Sequence, residues 1–433
     1  MTTLRARSAA EAAEVVRPED SLAIGLGPAH PKRFLDALGD RDDWRDLLIS
    51  GALLTDLHQV VAAPGVRYHS GFFGPAERFF RDAGAAVEYV PADFRRFATI
   101  AQRIRPRVMA TATAPPDADG YLSLSLHAGA LVDEWHRCGA DPERVLVVEY
   151  SSAYPTTFGL PPEHTHRLHV DEVDVLFESD AAPIDLPDPE PDDVDRAIAA
   201  QAQRFIPDHA TLQTGIGAIP SLLATLLAEG DGGGYGVHSE MFTNGLMQLH
   251  LAGKVTNANK GEFDGFSVTT FAAGVPALYE FLDQNPDVRF LPVEVVNDAH
   301  VIASNERFVS INGATAIDLF GQVAADTIGG RQYSGTGGHE DFLAGAGLQL
   351  DDTSLLCLRS VVDRPEGTAS RIVPNLAPEM LVTTPRHQVD VVVTEWGAAE
   401  LQGLTVRERA EALVRIAHPD HRAELDEAAR SIR

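Results

Sequence analysis

The sequence has few cysteines, few lysines and no long apolar runs. Cysteine occurs twice in 433 residues, as Cys138 and Cys357. Two residues so far apart offer neither a disulfide framework nor a short metal-ligand spacing, and a reducing cytoplasm is the expected compartment. Lysine occurs three times, as Lys32, Lys254 and Lys260, so nearly all positive charge is arginine. No run of 18 or more apolar residues occurs, and no membrane-spanning helix is expected. The segment from Met1 to Ala13 mixes Arg with Glu and has no apolar stretch, which does not fit a secretory signal. Cations are scarce overall: 35 Lys plus Arg face 63 Asp plus Glu, a net charge of -28. Such a chain repels nucleic-acid phosphates and anionic membranes, and neither is expected as a partner. A phosphate-bearing ligand would need cations focused locally against this field.

What is present is an ordinary globular composition, long enough for two domains of about 200 residues. Short β-rich runs alternate with amphipathic stretches. Strands are expected at 22–27, 144–150, 209–216, 288–296, 354–359 and 389–395. Helices are expected at 31–38, 219–228 and 405–417, the last with Val406, Ala410, Leu413 and Ile416 on one face. This alternation predicts an α/β protein with mainly parallel sheets. Leu186 to Asp193 (LPDPEPDD) holds three prolines and four carboxylates, which cannot form a core element. It divides the chain into domains 1–187 and 194–433, with a helix opening the second at 194–205.

Several glycine patterns stand at strand ends. Gly215-Ile-Gly217 lies between an expected strand and helix, where glycine lets a ligand approach the backbone or simply makes a tight turn. Pro220 replaces the third glycine of a dinucleotide fingerprint, which argues against a nucleotide-binding oxidoreductase. From Ile328 to His339, five glycines and Arg331 occur in twelve residues; backbone N–H groups there could form an oxyanion hole or cradle a phosphate. Glu240 is expected just beyond a short strand at 235–239, where open α/β sheets place their chemistry. His164, His166 and His169 lack an acidic or Cys companion at zinc spacing and read as loop histidines, and no metal is expected. Serine-hydrolase, zinc-protease and P-loop signatures are absent.

Taken in order, the residues resemble the acetyl-CoA hydrolase/transferase family, which includes 4-hydroxybutyrate CoA-transferases and belongs to the class I CoA-transferases. The matching stretches are Leu212-Gln-Thr-Gly-Ile-Gly-Ala-Ile-Pro220, Gly236-Val-His-Ser-Glu-Met241, Gly253-Lys-Val-Thr-Asn257 and Val296-Asn-Asp298. They continue with Ile317 to Val323, Tyr333-Ser-Gly-Thr-Gly-Gly338, Ser370-Arg-Ile-Val-Pro374, Val393-Thr-Glu-Trp-Gly397 and Arg407 to Asp420. The N-terminal half agrees more loosely, through Pro115 to Leu124.

The resemblance implies two open α/β/α domains with the active site in the cleft between them. It implies Glu240 as nucleophile, with coenzyme A carried as a glutamyl-CoA thioester between a short-chain acyl-CoA and a carboxylate. It implies an oxyanion donor at Gly335, a CoA-binding loop at Gly337 and Gly338, and Asn297 and Glu395 flanking the glutamate. A homo-oligomer, a dimer, is implied likewise. Lys260 and Arg331 are candidates for CoA phosphate contacts on the scarcity of cations alone, and Gly215 and Gly217 for backbone contact with the cofactor. An acyl-CoA hydrolase on the same scaffold and a non-catalytic CoA-binding protein are the competing readings. The sequence departs from the family at Thr243-Asn244-Gly245, at His339 in place of Gln, and over 343–364, which leaves the acyl specificity open.

Overall fold

The computed structural model describes residues 4–365 and 367–432. The first three residues of the segment weighed as a secretory signal, and the last residue of the C-terminal half, lie outside the described residues. The chain forms two compact units: Met1–Leu186 with Val268–Val296, and Pro187–Ser267 with Asn297–Arg433. Residues 268–296 thus belong with the first unit, although they follow the acidic segment in sequence.

The first unit is built on eight strands. They are β1 (Leu4–Arg5), β2 (Glu19–Leu26), β3 (Asp46–Ala52), β4 (Val66–Ser70), β5 (Val87–Tyr89), β6 (Val108–Thr113), β7 (Val145–Tyr150) and β8 (Val175–Glu178). They pair in the order β1-β8-β7-β6-β2-β3-β4-β5, every pair parallel. The apolar run of β7 has its four central residues buried. A parallel sheet covered on both faces requires such a run, because neither face is left to water. Phe34, Leu35 and Leu38 of the helix Lys32–Gly39 pack into the same core as Leu22, Ile24 and Val147.

The second unit repeats the scheme. Its main sheet includes β9 (Thr211–Thr214), β10 (Gly236–Phe242), β11 (Phe308–Gly313), β12 (Thr353–Cys357), β13 (Val391–Thr394) and β14 (Gly397–Glu400). They run β10-β9-β11-β12-β13-β14, parallel except for the closing β13-β14 hairpin. The helix Val406–Ile416 starts where Thr405 and Glu408 form a reciprocal capping box, and it buries Ala410, Leu413 and Ile416 against Leu356 and Val392. Each fully buried Leu or Ile side chain contributes about 1.5–3 kcal/mol. Arg409 lies on the same helix, and its guanidinium donates to the carbonyls of Leu401, Arg386 and Val389, pinning the loops around β13.

The α/β character with mainly parallel sheets matches the pattern of the sequence. Two expectations change. The strand expected over 288–296 ends at Phe290, and Val293–Val296 form a single helical turn after Pro292. Proline cannot donate to a sheet ladder, which explains the break. The acidic segment is irregular, yet it is tied down. Asp188 accepts from Ser221 Oγ at 2.9 Å, and Asp192 caps the helix Asp193–Ala202 while pairing with Arg359. Among the described residues no helix is long and apolar enough to cross a membrane.

Candidate active site

The site is built around β10. Alternation along a strand puts His238, Glu240 and Phe242 on one face and Val237, Ser239 and Met241 on the other. Ser239 works on its own side. Its hydroxyl donates to the carbonyl of Thr214 at 3.1 Å and accepts from the Thr214 N–H at 3.3 Å, which locks β10 to the end of β9. The Gly215-Ile-Gly217 turn leaves β9 at that point. Gly217 has φ +127° and opens the helix Ala218–Glu229, a conformation that suits glycine.

Glu240 is not beyond the strand, as the sequence suggested, but is the fifth of its seven residues. The strand continues to Phe242, and Thr243 then caps the helix Asn244–Leu251 through its side chain. The apolar Met241 and Phe242 extend the ladder beyond the expected end at residue 239.

The face carrying Glu240 is covered by the helix His339–Ala346. Phe342 of that helix meets the His238 ring and stacks on Phe308, with centroids 6.5 and 6.0 Å apart. The preceding loop brings Gly338 against the carboxylate. A Cβ on Gly338 would overlap Glu240 Oε2 and stand 2.5 Å from Asn297 Nδ2, so only glycine fits. Asn297 is fully buried, and its Nδ2 donates to Glu240 Oε2 at 2.7 Å and to Asp341 Oδ2 at 3.1 Å. One amide therefore holds two carboxylates. Its own Oδ1 is buried with no hydrogen-bond partner among the described residues.

Electrostatics follow from this enclosure. The residue Glu240 keeps some solvent contact, but its carboxyl is surrounded, and burial raises its pKa to about 8. The Asn297 bond opposes the rise and the Asp341 charge adds to it. His339 is driven the other way by burial, to about 4, and its Nε2 lies 2.8 Å from Thr384 Oγ1. It is therefore neutral at pH 7 and belongs to the packing behind the loop.

The structure brings together Glu240, Asn297, Gly338 and the loop that carries Gly335 and Gly337. Gly335 is buried, and Gly337 adopts φ +55°. Asp326 anchors the start of this loop by accepting from the N–H groups of Tyr333 and Ser334 at 2.9 and 3.0 Å. Three other candidates fall elsewhere. Glu395 directly follows β13, four strands from β10 in the sheet order. It accepts from the Ser360 N–H at 3.0 Å and the Ser360 hydroxyl at 2.5 Å.

Lys260 is fully buried, and its Nζ donates to the carbonyls of Val237 and Phe266 at 2.8 Å each. Burial lowers its pKa to about 7. It serves the base of β10 and has no free face for a phosphate. Arg331 is exposed in the hairpin of Thr327–Ile328 and Arg331–Gln332.

Asp341 was missed from sequence. It sits in the first turn of its helix, where an acid normally reads as a response to the helix dipole. Its place three residues after Gly338, the last glycine of the loop, was the available signal. Among the described residues no group of three His, Cys, Asp or Glu could hold a metal ion.

The doubly wound fold and the enclosed strand-borne carboxylate define a class, an α/β enzyme with a carboxylate poised next to a glycine-rich N–H loop. Comparison with known proteins narrows it. Residues 274–429 match the family model of the acetyl-CoA hydrolase/transferase C-terminal domain. The chain is 35% identical over 432 residues to a succinyl-CoA:cyclohexane-1-carboxylate CoA transferase of Geobacter metallireducens, covering 98% of this chain and 94% of the relative. It is 36% identical over 361 residues to a 4-hydroxybutyrate coenzyme A transferase of Clostridium kluyveri, covering 83% and 81%. Among solved structures, RipA from Yersinia pestis superposes with a TM-score of 0.86 at 30% identity, over 98% of this chain and 96% of that one. The chain belongs to the acetyl-CoA hydrolase/transferase family of CoA-transferases, enzymes that act on CoA thioesters.

Proposed function

We propose that this protein transfers CoA between a short-chain acyl-CoA and a carboxylate by a ping-pong mechanism with Glu240 as the covalent carrier. The observation that supports it most is the clasp on Glu240, with Asn297 donating at 2.7 Å and Gly338 pressed against the same oxygen.

In this reading the ionised Glu240 attacks the thioester carbonyl. The C–S bond breaks and CoA leaves as a thiolate, giving an acyl-glutamyl anhydride. The thiolate then attacks the glutamyl carbonyl, forming the glutamyl-CoA thioester and releasing the first acid as its carboxylate. An incoming carboxylate reverses the sequence, takes the CoA and regenerates Glu240. Exchanging a thioester for an anhydride conserves group reactivity and divides one hard step into easier ones. Every addition passes through an oxyanion. Asn297 Nδ2, 2.7 Å from Glu240 Oε2, supports a donor role on the glutamyl side, and the Gly335 N–H is the donor that the resemblance gives to the acyl side. The substrate acids named for the relatives are the natural starting panel: succinate, 4-hydroxybutyrate and cyclohexane-1-carboxylate. The same reading keeps a cytoplasmic homodimer, on cysteine usage and on the resemblance.

The test is covalent capture. Incubation with acetyl-CoA followed by borohydride or heat should modify only the peptide that contains Glu240, as read by mass spectrometry. An unmodified peptide together with full activity in Glu240→Ala would sink the mechanism. A second reading, acyl-CoA hydrolase, is favoured by the family's own description. It predicts thiol release from acetyl-CoA with no acceptor acid present, whereas the transferase predicts no free thiol and, once an acid is added, the CoA thioester of that acid.

A further inference from the structure

Lys260, sealed inside the protein with its Nζ on two carbonyls, does not supply the cation that a CoA phosphate would need at this site. A different residue offers it. Arg371 is half-buried, and among the described residues its guanidinium makes no hydrogen bond and no ion pair. Its backbone is fixed, since its N–H donates to the Ser360 carbonyl at 2.8 Å and its own carbonyl accepts from Ile317 at 2.9 Å. The acids and cations around it are otherwise engaged. Both Glu395 oxygens are taken by Ser360, and Arg359 is tied to Asp192 and Asp195 at 2.9 and 2.8 Å. Burial and the Arg359 charge lower the Arg371 pKa, while Glu395 and Tyr333 are near enough to oppose them. A half-desolvated guanidinium without a partner is costly unless an anion completes it.

Its place in the fold says which anion. Ser360 lies three residues beyond the C-terminal end of β12, three strands from β10. Arg371 therefore lies near the C-terminal end of β12, a strand about 14 Å from the Glu240 strand across the sheet. Tyr333, which also affects it, begins the loop that runs to Gly338 at Glu240. The pantetheine arm of CoA can span such a gap, with the thioester at Glu240 and the nucleotide phosphates at the other end. We infer that Arg371 is the anchor for the phosphates of the CoA moiety, a fork of N–H donors suited to a phosphate's oxygens. This inference rests on the CoA-transfer reading of Glu240.

The experiment compares wild type, Arg371→Gln and Arg371→Lys in two assays. Calorimetric titration with CoA should show affinity about ten- to a hundredfold weaker in the Gln variant, with partial recovery in the Lys variant. Steady-state rates should show a raised KM for acyl-CoA, an unchanged KM for the carboxylate, and no difference from wild type when an acyl-pantetheine without phosphates replaces acyl-CoA. A misfolded variant would lose both thioesters alike, so the acyl-pantetheine ratio isolates the phosphate contact. CoA affinity equal to wild type in both variants would overturn the inference. So would equal loss on acyl-CoA and acyl-pantetheine, or a raised carboxylate KM. Failure of wild type to bind CoA at all would instead overturn the reading on which it rests.

Discussion

Replacing Asp341 by Asn removes one negative charge from beside Glu240 while keeping the shape that accepts from Asn297. Two oxygens bonded to one nitrogen at 2.7 and 3.1 Å lie about 5 Å apart. A unit charge at that separation is worth about 3 kcal/mol at an effective dielectric of 20, which is an upper bound here. Burial and Asn297 both outrank Asp341 as influences on Glu240. The expected change is therefore smaller, about one pH unit or 1.4 kcal/mol. Glu240 must be ionised to attack, and with its pKa at about 8 roughly one-tenth is ionised at pH 7. Lowering that value by one unit raises the reactive fraction to about half. The assay is kcat/KM for acyl-CoA between pH 5.5 and 9. The acid limb should move down by about one unit in Asp341→Asn, with the rate at pH 7 rising about fivefold if the alkaline plateau is unchanged. An acid limb that stays in place, or moves up, would refute the claim that Asp341 acts on Glu240 through its charge.

Further outcomes follow from the same geometry. Gly338→Ala places a methyl on the Glu240 carboxylate and should lower CoA-transfer activity about a hundredfold or more, with far-UV circular dichroism unchanged, because a displacement near 1 Å at a reacting group costs that much. Glu240→Gln removes a group that, when folded, holds its proton from about pH 4.5 up to about 8. The native state then binds more protons than the unfolded one, so wild type loses stability as pH rises through this window. Urea midpoints at pH 5 and pH 8 should show that slope flattened in the variant. Lys260 behaves oppositely. Unfolded it keeps its proton to about 10.5 and folded only to about 7, so it makes stability rise with pH across that interval. Lys260→Met should abolish that slope. It should also cost about 2 kcal/mol or more, since two buried carbonyls lose their donor.

The sheets were legible because parallel strands covered on both faces announce themselves as apolar runs, as at Val145–Tyr150. The helix at 406–416 was legible from its period and its Thr405 cap. The ordered motifs also marked Glu240, Asn297 and the Gly338 loop, which the structure brings into contact. What sequence could not show was which charges are engaged. Lys260 looks like a spare cation until its two carbonyl partners are seen, and Arg371 looks like surface charge until its neighbours prove to be paired with others. Asp341 reads as a helix-start acid, since nothing local reveals that Asn297 lies 44 positions earlier and 3.1 Å away. Glu395 stands in a family motif, but strand order separates it from Glu240 by four positions in the sheet.

The disposition of the three lysines has a consequence for durability. Thioesters acylate free amines without any catalyst, and an enzyme bathed in them is its own first target. Lys32 is mostly covered and pairs with Asp56 at 3.1 Å. Lys254 donates to the carbonyls of Gly230 and Gly232. Lys260, whose lowered pKa would make it the most reactive amine, is sealed inside the protein. Arginine carries the remaining side-chain positive charge and does not form amides under these conditions. The chain thus handles an acylating substrate while exposing little that the substrate can scar, and intact-mass spectra after long exposure to acyl-CoA should show the glutamyl adduct without a ladder of lysine amides.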